Sequence, residues 1–200
     1  MGVTPGDVVA VQGLGGLGHL ALQYARKMGY RTVALSSSSA KKDFAHKLGA
    51  TDYIDISSQD VVQELQKMGG ASLIVVTAPN PKVMESLTQA CGPKGKVLIL
   101  AGKHYIEHTR FEICADKSDL VVGSVPVSVP AMIHYGVSVH GWPSGHAQDS
   151  EEAIAFAEHQ DVKCMVETFK LEDAQKVSLY PQWSIYWTLV ICSPSFANNL

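Results

Sequence analysis

A glycine-rich segment between a predicted strand and a predicted helix constrains the fold of this chain more than any other feature. The segment reads Gly13-Leu14-Gly15-Gly16-Leu17-Gly18, and the apolar run Val8–Gln12 before it is of the strand type. Behind it, apolar residues at helical spacing predict a helix over residues 17–28, closed by Gly29. The residues at this spacing are Leu17, Leu20, Ala21, Tyr24, Ala25 and Met28. A strand, a glycine loop and a helix in this order predict a βα unit of an α/β protein.

The three glycines of the G-x-G-x-x-G spacing have separate physical roles in such a loop. Gly13 allows a tight turn, Gly15 lets the backbone approach a pyrophosphate, and Gly18 lets the helix pack on the strand. The phosphates then bind unpaired N–H groups at the positive end of the helix dipole. The alternative is an ordinary glycine-rich turn. We expect a dinucleotide to bind at Gly13, Gly15, Gly16, Leu17 and Gly18.

The rest of the chain alternates predicted strands with predicted helices, which indicates a doubly wound parallel sheet with helices on both faces. Further strands are predicted at residues 31–35, 53–55, 73–76, 96–101, 137–140 and 165–169. Further helices are predicted at residues 40–48, 61–68, 81–90, 149–159 and 171–179. The strand order expected for this fold brings a dinucleotide across the C-terminal ends of the strands.

Helix boundaries are predicted from capping residues. Ser57 with Asp60 resembles a capping box before residue 61, and Asn80 with Pro81 supplies a cap and a first-turn proline. Asp149 or Ser150 is expected to cap the helix through residue 159, with Ile154 and Ala157 facing inward. The pattern loosens over residues 103–129, where we expect an insertion or an altered loop.

Length and composition indicate one globular domain. Two hundred residues, 46% of them hydrophobic and 18% charged, suffice for one sizeable core. A net charge of −3 gives no basic surface, so we expect no nucleic-acid partner. We also expect no membrane span and no secretory leader. The four cysteines form no CxxC pair, which favours reduced thiols in a cytoplasmic protein; they are Cys91, Cys114, Cys164 and Cys192.

Residues 5–21, 47–53, 92–97 and 139–145 resemble the nucleotide-binding domain of zinc-type medium-chain alcohol dehydrogenases, and Gly141-Trp142-Pro143-Ser144-Gly145 is the most specific of these stretches. The resemblance implies a Rossmann-type sheet over residues 1–180 and a nicotinamide cofactor. It implies interconversion of a small alcohol and an aldehyde by hydride transfer at a zinc ion. Residues 181–200 depart from the family, and we expect them to form an aberrant apolar tail.

The resemblance also implies that the zinc ligands lie upstream of the strand Val8–Gln12, in a GroES-like domain. We therefore expect that this domain is absent from the chain, which would be truncated at its N-terminus. No catalytic residue and no metal ligand is assigned within these residues. His104 and His108 are spaced i, i+4, but they fall in a predicted loop and are interpreted as a solvated pair.

A run of serines indicates which dinucleotide is bound. NAD-specific sites use an Asp or Glu about twenty residues past the glycines. The second strand ends here at Ser36-Ser37-Ser38-Ser39, followed by Ala40, Lys41 and Lys42, with no carboxylate at that strand end. Hydroxyl donors and lysine charge suit a 2′-phosphate. The run also resembles that of NADP-dependent cinnamyl-type alcohol dehydrogenases. We expect NADP to bind at Ser36, Ser37, Ser38, Lys41 and Lys42, with NAD as the alternative cofactor. The alternative without a binding role is that the serines form a solvated loop and the lysines an exposed helix start.

Other strand ends complete the expected site. The resemblance implies cofactor contacts at Thr77, Ala78, Ala101 and Gly102, and at Gly141, Trp142 and Ser144 beside the nicotinamide. Packing as an apolar plug is the favoured role for Trp142 alone. The family also implies a homodimer that pairs through the sheet edge near residues 137–140.

Three functions remain open from the sequence. The first is the cofactor-binding part of an NADP-dependent zinc alcohol dehydrogenase. The second is a zinc-free quinone or enoyl reductase of the same superfamily, against which the Gly-Trp-Pro-Ser-Gly run speaks. The third is a dinucleotide-binding module without catalysis.

Overall fold

Strand β1 (Val8–Gln12) lies in the middle of a six-stranded parallel sheet, with all five of its residues buried. The computed structural model describes residues 2–78, 81–100, 127–142, 144–170 and 189–193. Alternate residues of a strand point to opposite faces, so a fully apolar strand requires cover on both sides. Val8 and Ala10 belong to one core cluster, and Val9 and Val11 belong to the other.

Helices cover both faces of this sheet. Leu22 and Ala25 of α1 (Gly16–Lys27) and Ala45 of α2 (Lys42–Lys47) pack on one face. On the other face α3 (Val61–Lys67) and α4 (Pro81–Ala90) contribute four buried side chains, which are Val61, Leu65, Leu87 and Ala90. The predicted doubly wound α/β architecture is therefore confirmed.

The strand order is β3-β2-β1-β4-β5-β6, and every neighbouring pair is parallel. The other five strands are β2 (Arg31–Ser36), β3 (Asp52–Asp55), β4 (Ala71–Val76), β5 (Cys91–Ile99) and β6 (Ser138–Gly141). From β1 the chain first adds strands on one side and then returns to add β4 on the other. This reversal opens a crevice at the C-terminal ends of the strands, where ligands of open α/β sheets bind.

The apolar residues predicted to form the buried face of α1 are only partly the ones that are buried. Gly18, Leu22 and Ala25 face the sheet, whereas Leu17 and Met28 are exposed. Gly18 contacts the glycine loop, and this contact puts Gly18 and Leu22 on the side of α1 that faces the sheet. Of the predicted apolar residues, Ala25 is buried and Ala21 packs against the core while partly buried.

The predicted capping box before α3 is also wrong. Asp60 is itself the N-cap, and its Oδ1 accepts hydrogen bonds from the N–H groups of Val62 and Gln63 at 2.9 and 3.1 Å. Ser57 instead donates its hydroxyl to Asp55 Oδ1 at 2.6 Å. A carboxylate one residue before the helix satisfies two orphan donors, which leaves no role for Ser57 as a cap.

Helix α6 (Ala147–Gln160) begins earlier than expected, and neither predicted residue is its N-cap. His146 is the N-cap, and Asp149 accepts a hydrogen bond from the His146 N–H at 2.6 Å. Ile154 is 67% exposed, so its predicted inward orientation is wrong. Phe156 faces inward in its place, because its ring stacks on Tyr24 of α1 at a centroid distance of 5.4 Å.

Between residues 91 and 142 the structure adds an early start to a predicted strand and a helix that was not predicted. Strand β5 starts at Cys91, because Cys91 pairs with Ala71 before a register shift; the turn-forming Gly92-Pro93-Lys94-Gly95 obscures this start in the sequence. Helix α5 (Val129–Tyr135) begins in the region described as loosened, with Ser128 as its N-cap. The predictions for Asn80, for residues 103–126 including the pair His104 and His108, and for the helix at 171–179 lie outside the described residues.

The last predicted strand forms a separate two-stranded parallel sheet. It consists of β7 (Val166–Lys170) and β8 (Leu189–Ser193), and Val166 is opposite Leu189. Strand β8 lies in the stretch expected to be an aberrant tail. The proposed domain boundary at residue 180 stays a prediction, although this pairing crosses it.

Candidate functional site

The glycine loop begins at Gly13 with a backbone conformation that other residues rarely adopt. Its φ is +94°, and a Cβ at this position would lie 2.7 Å from Ala78 Cβ and 2.9 Å from Thr77 Oγ1. The Gly13 N–H donates to the Leu35 carbonyl at 3.0 Å. The tight turn predicted for the first glycine is therefore present, and it brings the ends of β1, β2 and β4 together.

Gly18 makes the close helix–loop contact that its place in the motif predicts. A Cβ on Gly18 would overlap the Gly13 carbonyl oxygen and lie 3.1 Å from Thr77 Oγ1. Gly18 is buried on the sheet-facing side of α1. Any larger residue would push the helix away from the loop.

Between these two glycines, the start of α1 presents backbone donors. Gly15 is the N-cap and makes no side-chain capping bond, and the first bond of the helix runs from the His19 N–H to the Gly15 carbonyl at 3.0 Å. Within the described residues, the N–H groups of Gly16, Leu17 and Gly18 meet no acceptor. No acidic side chain lies in the first turn. These groups form a cradle suited to an anionic oxygen.

The serine run continues from β2 along the same edge of the sheet. Ser36 is buried, Ser37 is exposed, and Ser38 caps a 3₁₀ turn over Ser39–Lys41 by accepting the Ala40 N–H at 3.3 Å. The predicted helix at residues 40–48 is thus a 3₁₀ turn followed by the shorter α2. Of the three predicted serines, Ser37 is the one whose hydroxyl is most open to a ligand.

The two predicted lysines differ in their surroundings. Lys41 ends the 3₁₀ turn and is half-buried, and this burial lowers the pKa of its ammonium. Lys42 begins α2 and is exposed. The two lysines follow the serine run after Ala40, so their ammonium groups can add positive charge beside it.

Two residues of β3 support the serine run, and the sequence analysis missed both. The Tyr53 hydroxyl donates to the Ser38 carbonyl, and burial raises the pKa of this phenol, which keeps it protonated. Hydrogen bonds from the Ser57 hydroxyl and N–H and from the Ser39 N–H lower the pKa of Asp55. The prediction considered carboxylates at the end of β2 only, whereas parallel pairing puts Asp55 opposite Ser36. Only the register of β3 with β2 reveals both residues, and a single sequence does not specify that register.

The ends of β1 and β4 are joined by Gln12, a further residue that the sequence did not indicate. Its carbonyl accepts the Thr77 N–H at 2.9 Å and the Thr77 hydroxyl at 2.8 Å, and its side-chain Oε1 accepts the Ala78 N–H at 3.4 Å. Thr77 and Ala78 therefore lie against the glycine loop, as their predicted role requires.

The β6 end of the crevice contains the remaining predicted residues. The Trp142 N–H donates to the Ile99 carbonyl at 3.1 Å, which fixes this end of β6 beside β5. Trp142 is 54% exposed, so its interpretation as an apolar plug is wrong. Gly141 and Ser144 are exposed, and no atom lies within 4 Å of a Cβ built on Gly141. Ala101 and Gly102 lie outside the described residues.

No group of three or more His, Cys, Asp or Glu side chains in the described part of the chain is arranged to hold a metal ion. The described residues therefore do not fit a zinc site. Across the described ranges, no helix has the length and apolarity needed to cross a bilayer.

The glycine loop, the serine run, Thr77 and Gly141 all lie at one edge of a sheet with the order 3-2-1-4-5-6. This arrangement defines a Rossmann-like fold, and the glycine cradle fits the pyrophosphate of a dinucleotide. Residues 16–159 match the family model described as "zinc-binding dehydrogenase". The chain belongs to this family.

Curated relatives agree with this assignment. The chain is 50% identical over 172 residues to alcohol dehydrogenase patD of Penicillium expansum, covering 86% of this chain and 45% of that protein. It is 33% identical to an alcohol dehydrogenase of Geobacillus stearothermophilus, covering 88% of this chain and 47% of the relative. The chain therefore spans about half the length of the curated relatives it matches.

Solved structures show the same fold. The alcohol dehydrogenase of the archaeon Aeropyrum pernix superposes with a TM-score of 0.77 at 22% sequence identity, over 96% of this chain and 52% of that one. The structure titled AibC gives a TM-score of 0.78 at 20% identity.

Proposed function

We propose that this chain is the NADP(H)-binding part of an alcohol dehydrogenase. The observation that carries the proposal is the convergence of the Gly13–Gly18 loop, the serine run and the β4 and β6 ends at one edge of the sheet. The 50% identity to a protein named alcohol dehydrogenase supports the reaction class. Bound NADPH would give a hydride to an aldehyde, and bound NADP⁺ would accept a hydride from an alcohol.

The described residues bind and orient the cofactor in this proposal. The N–H groups of Gly16, Leu17 and Gly18 hold the pyrophosphate, and Ser37 with Lys41 and Lys42 holds the 2′-phosphate. Thr77 and Ala78 line the middle of the crevice, and Gly141 and Trp142 flank the nicotinamide. The proposal concerns the cofactor only, because no group of His, Cys, Asp or Glu side chains within the described residues is arranged to hold a metal ion.

The choice of NADP over NAD rests on the surroundings of Ser37. Its hydroxyl is exposed, and two lysines follow within five residues. A phosphate there gains hydroxyl hydrogen bonds and lysine charge. The free thiols Cys91 and Cys164 are consistent with the reducing cytoplasm as the site of action.

A paired titration of NADPH and NADH tests the proposal. Ser37→Asp puts a carboxylate where the 2′-phosphate binds, and repulsion should weaken NADPH binding at least about tenfold while NADH binding is kept. Ser150→Asp adds the same charge on exposed α6 and should change neither affinity. Tighter binding of NADH than of NADPH by the unchanged chain would contradict the cofactor assignment.

A further inference from the structure

His19 follows the last glycine of the motif and makes a contact on each of its two ring nitrogens. Its Nδ1 lies 3.2 Å from the Gly15 carbonyl oxygen, and its Nε2 accepts the Met165 N–H at 3.1 Å. The residue is only 3% exposed. The sequence alone does not indicate a role for His19.

The partners of the ring define its tautomer. A backbone N–H can only donate, so Nε2 is the unprotonated acceptor nitrogen. A carbonyl can only accept, so Nδ1 carries the proton and donates it to Gly15. The neutral ring is thereby satisfied at both ends, and neither nitrogen is available for another partner.

The hydrogen bond to Gly15 restrains the peptide that meets the phosphates. The peptide between Gly15 and Gly16 is planar, so its C=O and N–H point in opposite directions. Holding the carbonyl toward His19 therefore fixes the direction of the Gly16 N–H, one of the proposed pyrophosphate donors. The His19 backbone N–H also donates to this carbonyl at 3.0 Å, so the ring adds a second hydrogen bond to the same acceptor and tightens its orientation.

The other end of the ring belongs to a wider contact between α1 and the chain that leads into β7. Gln23 donates to the Lys163 carbonyl at 2.9 Å and accepts the Lys163 N–H at 3.0 Å. The Tyr24 hydroxyl donates to the Ala153 carbonyl at 2.8 Å. The Gln23 bonds hold the segment before β7, whereas the Tyr24 bond reaches α6, which has no buried residue.

We infer that His19 is a positioning residue that orients the Gly15–Gly16 peptide for the dinucleotide pyrophosphate and couples cofactor binding to the segment 163–165. This inference rests on the proposed dinucleotide binding and adds to it a residue and a second segment. Coupling of this kind is reciprocal, so cofactor binding stabilises the Met165 hydrogen bond as much as that bond favours cofactor binding.

Two variants separate the two ring contacts. The Asn amide nitrogen occupies the place of Nδ1, so His19→Asn keeps a donor for Gly15 and loses the acceptor for Met165. The Gln amide reaches the place of Nε2, so His19→Gln keeps the acceptor and loses the donor. One lost hydrogen bond predicts NADPH binding about five- to tenfold weaker for His19→Gln. His19→Asn should stay within about threefold of the unchanged chain, since it loses only the indirect contact.

His46→Gln is the matched control, because the His46 Nδ1 contacts the Ala50 carbonyl at 2.8 Å at the far end of α2. It should leave NADPH affinity unchanged. Equal weakening by both His19 variants would reduce His19 to a packing residue and overturn the inference. Equal affinities of all four proteins would overturn it too, and both results would leave the proposed function standing.

Amide hydrogen exchange of the unchanged chain gives a test that needs no variant. Saturating NADPH should slow exchange at Met165 as well as at Gly16 and Leu17. Protection of the glycine loop with no change at Met165 would overturn the coupling. Absence of NADPH and NADH binding by the unchanged chain would overturn the proposed function, and this inference with it.

Discussion

At the scale of single residues, the glycines of the loop differ in what they contribute. Gly13 is needed for its positive φ, Gly18 for the absence of a side chain against the Gly13 carbonyl, and Gly15 as a cap without a side chain. The first two are therefore requirements of folding, whereas Gly15 leaves the helix donors accessible. Substitution of Gly13 or Gly18 should therefore lower stability, whereas substitution of Gly15 should mainly weaken cofactor binding.

Gly18→Ala tests the folding requirement. Its Cβ would overlap the Gly13 carbonyl oxygen, so α1 must shift and the free energy of unfolding should fall by about 1–3 kcal/mol. Gly141→Ala introduces the same methyl group with no atom within 4 Å and should change stability by less than about 0.5 kcal/mol. Urea denaturation of both variants measures the difference, and equal stabilities would refute the close contact.

At the scale of elements, strands were predictable and surface detail was not. Buried apolar runs such as Val8–Gln12 have few alternatives to a parallel strand covered on both faces, so β1 through β4 followed from the pattern. The inward face of α1 did not follow, because the contact of Gly18 with the loop decides it. Likewise, Asp55 and Tyr53 join the site only through the register of β3 with β2, which a single sequence does not specify.

The β6 edge and its neighbouring helix are the elements that we propose for self-association. Strand β6 is the last strand at its end of the described sheet, and α5 exposes Val129 and Ile133 one helical turn apart. An unpaired edge beside apolar residues favours pairing with a second copy. The resemblance to dimeric dehydrogenases implied the same edge.

Ile133→Lys should convert the proposed dimer to a monomer, because it puts a charge into the proposed apolar contact. The cost to folding should be small, since Ile133 is 73% exposed. Ile154→Lys is the control, since Ile154 is a similarly exposed isoleucine on α6. Light scattering at micromolar concentration reports the mass of each protein. A monomer for the unchanged chain would contradict the proposed association.

At the scale of the whole molecule, the C-terminal ends of the strands and their N-terminal ends differ in the residues that they carry. The C-terminal ends of the strands carry the glycine cradle, the serine run and Trp142. At the N-terminal ends of the strands lie glycines that end helices, among them Gly29, Gly49 and Gly69. They have positive φ values and lie in the turns that lead into the next strands. Within the described residues, the C-terminal ends of the strands combine open backbone donors with exposed polar side chains, and the proposed cofactor site lies there.

Mapping amide chemical shifts of the labelled chain during NADPH titration tests this assignment most directly. The account predicts the largest changes at Gly16, Leu17, Gly18, Ser37 and Gly141, at one stoichiometric equivalent, with Gly29, Gly49 and Gly69 unchanged. Changes centred on the glycines at the N-terminal ends of the strands, or none at the Gly13–Gly18 loop under saturating NADPH, would contradict it.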